Sequence, residues 1–350
     1  MFTKKFKVAL TYNVKPEEDP AFKSHSQHAY SIDKDEYAEW DTYETIHAIR
    51  DALSIYNDVT LVEADNNCFE SFRQLKPDIV FNISEGKNGI SREAQIPAIL
   101  DMLEIPYTGS DPLTLSTCLD KGRTKEILTF HKIPTPKFQV VKTIEQLKNF
   151  ELNFPVIYKP LQEGSSKGIF DSSVVDDFFE LKEKIGIHIE RYNQPVIVEE
   201  FLSGREFTVA LLGNGEETKV LPIVEMRFDE FPEELNPIYS YEAKWIYDTP
   251  EKPLNIYNCP ADLDKALEEK IKSTVLNTYN ILNCKDWSRI DVRLDSNGVP
   301  NIIEVNPLPG VLPNPDNNSC YPKAARTAGL DYSTTLNMVL LSAMRRYGMQ

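Results

Sequence analysis

The run from Arg289 to Asn306, RIDVRLDSNGVPNIIEVN, alternates apolar and polar residues with period two, the pattern of a half-buried strand pair. Asn297-Gly298 predicts a two-residue type I′ turn between the strands. Counting back from that turn sets Ser296 against Val299, Asp291 against Glu304 and Arg289 against Asn306. Ile290, Val292, Ile303 and Val305 then fall on the opposite, buried face. Two carboxylates facing each other across a ladder, with Cβ atoms ~5 Å apart, repel and cost stability. A divalent cation turns that cost into a binding site, and Asp, Glu and Asn oxygens suit Mg²⁺, with Mn²⁺ admissible on the same ligands. On the pattern alone, a solvated acidic face is the alternative.

Two further segments carry chemical potential. Lys159-Pro-Leu-Gln-Glu-Gly-Ser-Ser-Lys-Gly168 delivers a lysine from a strand into a Gly- and Ser-rich loop. Backbone N–H groups and hydroxyls in such a loop can cradle phosphate oxygens, although the Walker A spacing is absent and a plain turn remains an alternative. Val198-Glu-Glu-Phe-Leu-Ser-Gly-Arg-Glu206 reads as an acidic hairpin tip. Glu199, with Phe201 and Leu202 beside it, could read an adenine edge, and Glu206 could accept from ribose hydroxyls.

The elements that must position these residues begin with alternating strands and helices. Phe6–Tyr12, Asp58–Ala64 and Asp78–Ser84 read as strands. Asp41–Tyr56 reads as an amphipathic helix with Asp41 and Glu44 spaced as a capping box, and Arg92–Leu103 as another helix. That order predicts an α/β lobe with a parallel sheet. Val14–Trp40 is long, polar and acidic without periodicity, which suggests a functional flap or an excursion. Asp120–Lys132 reads as a helix, and Ile133-Pro134-Thr135-Pro136 as a breaker. Asp262–Leu282 and Ser333–Arg345 read as later helices. The chain divides as 1–117, 118–212 and 213–350.

With 38 basic against 54 acidic residues, the net charge of −16 disfavours nucleic acid and anionic membrane as partners. An anionic small molecule would need a local cluster of cations. The five cysteines are scattered and form no C-x-x-C pair, so a disulfide framework or thiolate zinc site is not expected. The N-terminal run is too short for a secretory signal, and no stretch reaches membrane-span length; a cytoplasmic location is expected.

Taken in order, the motifs resemble the ATP-grasp superfamily and, within it, the D-alanine–D-alanine ligase family. The stations are FNISEGKNGISREAQ (81–95), IPYTGSD (105–111), LDKGRTK (119–125), YKPLQEGSSKG (158–168) and VEEFLSGREFTVALLG (198–213). YSYEAKW (239–245), CPADL (259–263) and WSRIDVRL with IIEVNPLPG (287–310) complete the series. The resemblance implies an ATP-grasp fold of α+β lobes in three subdomains. It implies an ATP- and Mg²⁺-dependent ligase acting through an acyl phosphate on small-molecule carboxylate and amine substrates; a homodimer is compatible with it. It places Lys121 and Lys159 on the phosphates, Ser165 and Ser166 over the γ-phosphate, Glu199, Phe201 and Leu202 at adenine and Glu206 at ribose. Lys244 falls on the lid lysine, and Asp291, Glu304 and Asn306 on the metal ligands. Arg289 falls on the arginine that stabilises the transferring phosphoryl group. A regulatory ATP-binding module without turnover is the alternative, and the complete charged set speaks against it.

The substrate side departs from that family. Its Gly-Gly and Ser-x-Glu turn after the first strand is replaced by Thr11-Tyr12-Asn13 and the acidic segment, where Glu17, Glu18 and Asp19 are candidates. Its His-Gly reads Ser84-Glu85-Gly86, and its tyrosine after the lid lysine reads Trp245. After Gly310 the loop Val311–Cys320 is longer and Pro-rich, with Ser319 able to bind a carboxylate. These departures predict an enzyme that joins two D-alanines inefficiently.

Overall fold

The computed structural model describes residues 5–16, 37–229, 231, 235–247 and 254–349. Glu17, Glu18 and Asp19 lie outside the described residues, as does the side chain of Trp245.

The strands and helices in chain order are β1 (Lys7–Tyr12), α1 (Tyr43–Ser54), β2 (Asp58–Glu63), α2 (Cys68–Leu75), β3 (Ile79–Asn82), α3 (Gln95–Met102), α4 (Pro112–Leu119) and α5 (Lys121–Phe130). Then follow β4 (Phe138–Val141), β5 (Val156–Pro160), β6 (Val174–Val175), α6 (Phe178–Tyr192), β7 (Val196–Glu200), β8 (Glu206–Leu212), β9 (Lys219–Val220) and β10 (Val224–Met226). The chain continues with β11 (Tyr257–Asn258), α7 (Lys265–Ile281), β12 (Trp287–Leu294), β13 (Pro300–Asn306), α8 (Cys320–Thr327) and α9 (Tyr332–Arg346).

Among the described residues these strands build three sheets. The first is parallel, β2-β1-β3, as the strand–helix alternation predicts. The second is antiparallel, β4-β7-β5-β6, and the third runs β11-β10-β8-β12-β13 with β9 on β8. Strand β8 pairs with β12 from Trp287↔Leu212 to Arg293↔Glu206. This corrects two sequence expectations. Segments 196–200 and 206–212 are not a hairpin but strands of different sheets, and residues 206–212 go with the C-terminal sheet rather than with 118–212. A local pattern shows that two strands are close in sequence; which neighbours they find depends on distant partners.

One apolar core joins the parallel sheet to the C-terminal helices. Leu10, Phe81, Ile46 and Ile49 pack in it with Trp287, Tyr321, Val339 and Leu340. At its edge Asp286 is fully buried yet paired. It accepts from Gly109 N–H at 2.8 Å, Asn214 Nδ2 at 2.7 Å and Arg346 Nη2 at 2.8 Å. Burying a carboxylate is tolerated when its lone pairs are taken up in this way. The first and last thirds of the chain are thereby tied together. Among the described residues no helix is long and apolar enough to cross a membrane.

Helix starts follow capping chemistry. Asp120, Asp177, Asp264 and Asp331 each accept from a backbone N–H of the helix they open. The expected Asp41–Glu44 capping box is not formed. Thr42 caps α1, while the backbone of Asp41 pairs with Asn13 and Lys15 beyond the end of β1. That pairing draws the chain back to the parallel sheet just before the helix begins.

Candidate active site

The hairpin brings the acidic pair together by a different route from the one predicted. The turn is a three-residue loop: Asp295 N–H donates to Val299 O and Gly298 N–H to Asp295 O, with Gly298 at φ +71°. The extra loop residue shifts the register by one near the turn, giving Arg293↔Asn301 and Val292↔Ile302. A bulge between Asp291 and Val292 then restores it, so that Asp291 faces Glu304 and Arg289 faces Asn306. The bulge also changes which isoleucine is buried. Ile302 enters the core, whereas Ile303, expected there, is half-buried and lines the cleft.

The cleft encloses about 570 Å³ between the two antiparallel sheets and the loops of the parallel one. Lys121, Lys159, Ser165, Ser166, Glu199, Phe201, Leu202, Glu206, Lys244, Arg289, Asp291, Glu304 and Asn306 all line it, as do Glu85, Gly310 and Ser319. Residues far apart in sequence are therefore gathered on one wall system.

Its electrostatics are organised as paired charges. Lys121 Nζ sits 2.8 Å from Glu304 Oε1 and also donates to Glu163 O. Burial would push Glu304 up, but Lys121 and Lys159 outweigh it and hold the carboxyl down at about 2. Strand β5, buried on both sides, delivers Lys159 to Glu199, with Nζ 3.1 Å from Oε1 and 3.2 Å from Oε2. Lys125 reaches the same carboxylate at 3.3 Å. Burial opposes the charge on Glu199, and the two lysines overcome it, lowering its pKa. Burial lowers Lys125 to about 8 despite Glu199.

Asp291 Oδ1 accepts from Thr208 Oγ1 at 2.6 Å and Oδ2 from Arg289 Nη2 at 3.0 Å. Asn306 Nδ2 lies 3.4 Å from Asp291 Oδ2, leaving Asn306 Oδ1 as its other polar atom. Arg289 Nε is buried without a hydrogen-bond partner among the described residues, a donor left over for an anion. Glu206 is bonded by Arg293 Nη1 at 2.9 Å, and burial raises its pKa. Lys244 is pulled down to about 8, first by burial and then by Arg289 and Lys15.

Ser165 and Ser166 form the centre of a tight turn closed by Lys167 N–H to Gly164 O at 2.9 Å, with φ of +51° and +60°. Two successive non-glycine residues in the left-handed region make this a strained turn. Ser166 Oγ donates to Tyr239 O at 2.8 Å, linking it to the segment that carries Lys244. Ser319 Oγ takes Leu312 N–H at 3.2 Å and lies 3.4 Å from Gly310 O, so it folds the longer loop back on itself.

The cleft also holds groups outside the expected set. Glu39, Asp41, Glu44 and Glu93 line it with Glu85. Burial raises Glu93 to about 8 and Asp41 to about 7, and burial followed by Glu93 and Glu39 raises Glu85 well above the carboxylate range. Glu44 and Glu93 have a signal at motif level. Thr42-Tyr43-Glu44 has Ser-x-Glu-like spacing at a helix start, displaced from β1 by the long acidic segment, and Glu93 stands in the station 81–95. Glu39 and Asp41 have none, because nothing local marks which carboxylates a cleft will gather.

Could these residues hold a metal ion? Among the described residues there is no cluster of three His, Cys, Asp or Glu of the kind that makes a protein-only metal centre. Two carboxylates and a carboxamide on one strand pair fit Mg²⁺ by donor type, since that ion takes few protein ligands and completes its shell with phosphate and water.

A nucleotide-sized cleft between two antiparallel sheets, walled by buried lysines and an acidic strand pair, defines the ATP-grasp class. The "D-ala D-ala ligase C-terminus" family matches residues 127–341. The chain is 35% identical over 269 residues to a D-alanine–D-alanine ligase of Alcanivorax borkumensis, covering 77% of this chain and 78% of that one. It is 34% identical over 300 residues to protein y4sG of Sinorhizobium fredii, covering 83% and 84%. In fold it matches the Bacillus anthracis D-alanine–D-alanine ligase, solved in complex with ATP, with a TM-score of 0.71 at 21% identity and 99% coverage of both chains. The chain belongs to the D-alanine–D-alanine ligase family.

Proposed function

We propose that this protein is an ATP- and Mg²⁺-dependent carboxylate–amine ligase that forms an amide bond between amino-acid-like substrates through an acyl phosphate. The observation that carries the reading is the strand pair that sets Asp291 against Glu304, with Lys121, Lys159 and Arg289 lining the same cleft. A carboxylate is a poor electrophile; phosphorylation gives it a leaving group that an amine can displace. Lys121 and Lys159 neutralise the nucleotide phosphates, and the Ser165–Ser166 turn closes over the terminal one. Glu199, Phe201 and Leu202 hold the adenine edge, and Glu206 accepts from ribose. Asp291, Glu304 and Asn306 would hold Mg²⁺, which supplies charge neutralisation when bound. Arg289, whose buried Nε has no hydrogen-bond partner among the described residues, stabilises the transferring phosphoryl group and then the oxyanion formed when the amine attacks. Lys244, on the segment bonded to Ser166, helps exclude water from the acyl phosphate.

Glu44, at the start of α1, is the candidate for the ammonium of the first substrate, and Ser319 and Gly310 for the carboxylate of the second. Trp245 in place of tyrosine removes a hydroxyl acceptor, and the loop 311–320 reshapes the amine side. A missing site-built hydrogen bond costs more specificity than a resized apolar pocket. The best substrates are therefore amino acids or peptides other than a pair of D-alanines, which this enzyme joins inefficiently. Free thiols throughout the chain support a reducing, cytoplasmic setting. The test is a screen of amino acids and dipeptides, read by phosphate release and product mass. Substrate-stimulated ADP formation with an amide product is expected. A kcat/KM for D-alanine alone within tenfold of the best pair refutes the specificity, and no stimulated ADP formation under any condition refutes the ligase.

A further inference from the structure

Glu39 and Arg92, neither given a role above, meet beside the Ser165–Ser166 turn. Glu39 lies just ahead of α1, and Arg92 opens the short 3-10 turn Arg92–Ala94 before α3. The Glu39 carboxylate accepts from Arg92 Nη2 through both oxygens, at 3.0 and 2.8 Å, and from Gly164 N–H at 2.8 Å. Arg92 Nη1 donates to Gln162 O at 2.7 Å, and Nη2 lies 3.5 Å from Glu163 Oε2. The side chains are only 8% and 13% exposed, so the pair is screened little by solvent. Backbone groups at 162 and 164 are thus held by one ion pair from the opposite side of the cleft, immediately before the strained serines. On the far side Ser166 Oγ donates to Tyr239 O, and Tyr241 N–H to Ile169 O at 2.7 Å.

We propose that Glu39 and Arg92 are positioning residues for the Ser165–Ser166 turn, acting through Gly164 N–H and Gln162 O. Strained backbone persists only where its surroundings over-determine it. Here the over-determination is a carboxylate shared between a guanidinium and a backbone amide. The planar fork of Arg92 is needed because it bonds Gln162 O and Glu39 at once, which an ammonium does less well. The role rests on the reading of that turn as the phosphate loop given above. Loosening it costs phosphoryl transfer while leaving adenine and ribose contacts in place.

The experiment compares Glu39→Ala, Glu39→Gln and Arg92→Lys with the wild type in the full chain. It measures ADP affinity by calorimetry, kcat by phosphate release with the best substrate pair, and amide hydrogen exchange over residues 162–169. Expected are losses of about 10- to 100-fold in kcat for Glu39→Ala, smaller losses for the two conservative variants, and ADP affinity within about threefold of the wild type. Exchange over 162–169 rises in all three. Unchanged kcat and exchange in the folded conservative variants overturns the proposal. So does a loss of ADP affinity equal to the loss of kcat, which would mean support of the whole nucleotide site. A wild type that binds no ATP or ADP overturns the phosphate-loop reading instead, and exchange still reports whether the pair holds the turn.

Discussion

Replacing Glu304 by glutamine removes the negative end of a buried ion pair and should be visible as a pH-dependent loss of stability. Lys121 and Lys159 outweigh burial and hold Glu304 at about 2, against an ordinary 4.5. At roughly 1.4 kcal/mol per tenfold, that gap corresponds to about 3 kcal/mol at pH 7. An independent route gives the same size. Without Glu304, Lys121 is a nearly buried cation short of a carboxylate, and breaking one side of such a pair costs about 3–5 kcal/mol. The sign follows from a depressed carboxyl pKa: the stabilisation is complete above 4.5 and is lost as pH falls towards 2. By linkage about 2 kcal/mol should remain at pH 3.5. Urea titrations of wild type and Glu304→Gln, followed by intrinsic fluorescence at both pH values without nucleotide or magnesium, measure it. Lys121→Met combined with Glu304→Gln should cost less than the two single changes summed, because neither partner is left behind. A Glu304→Gln variant within about 0.5 kcal/mol of wild type at pH 7, or a difference that does not shrink with acid, refutes the reasoning.

Asp291→Asn should abolish magnesium-dependent turnover while leaving the fold intact; full activity in a magnesium titration refutes the metal assignment. Lys244 is pulled down to about 8 by burial, Arg289 and Lys15, so its charge is present below that pH and lost above it. Activity should therefore fall above pH 8, and Lys244→Arg should extend the plateau upward; an unchanged alkaline limb counts against it. Lys125→Met takes one of two cations from Glu199 and should weaken ATP binding by about tenfold, read by calorimetry. Unchanged affinity would show that Lys159 alone orients that carboxylate.

Much of this protein is legible in local sequence because its signals have short range. Period-two alternation marked β12 and β13. The runs 120–132 and 262–282 read as the helices that became α5 and α7, and the order of motifs marked the family. Even the facing of Asp291 and Glu304 was readable, although the path to it was not: a longer turn and a bulge shift the register in opposite senses and cancel. The bulge itself, and with it the exchange of Ile302 for Ile303 in the core, depends on how β12 lies against β8 and has no periodic signature. The same holds for the parting of β7 and β8 into separate sheets, since strand partners are chosen by burial across the whole fold. Glu39, Arg92 and Gly164 meet over separations of 53 and 125 residues, and Glu199 lies between lysines drawn from α5 and β5. Charges buried this far from water must find partners wherever the folded chain offers them. The backbone's local preferences say nothing of which distant side chain that will be, so these pairings were decided by tertiary structure alone.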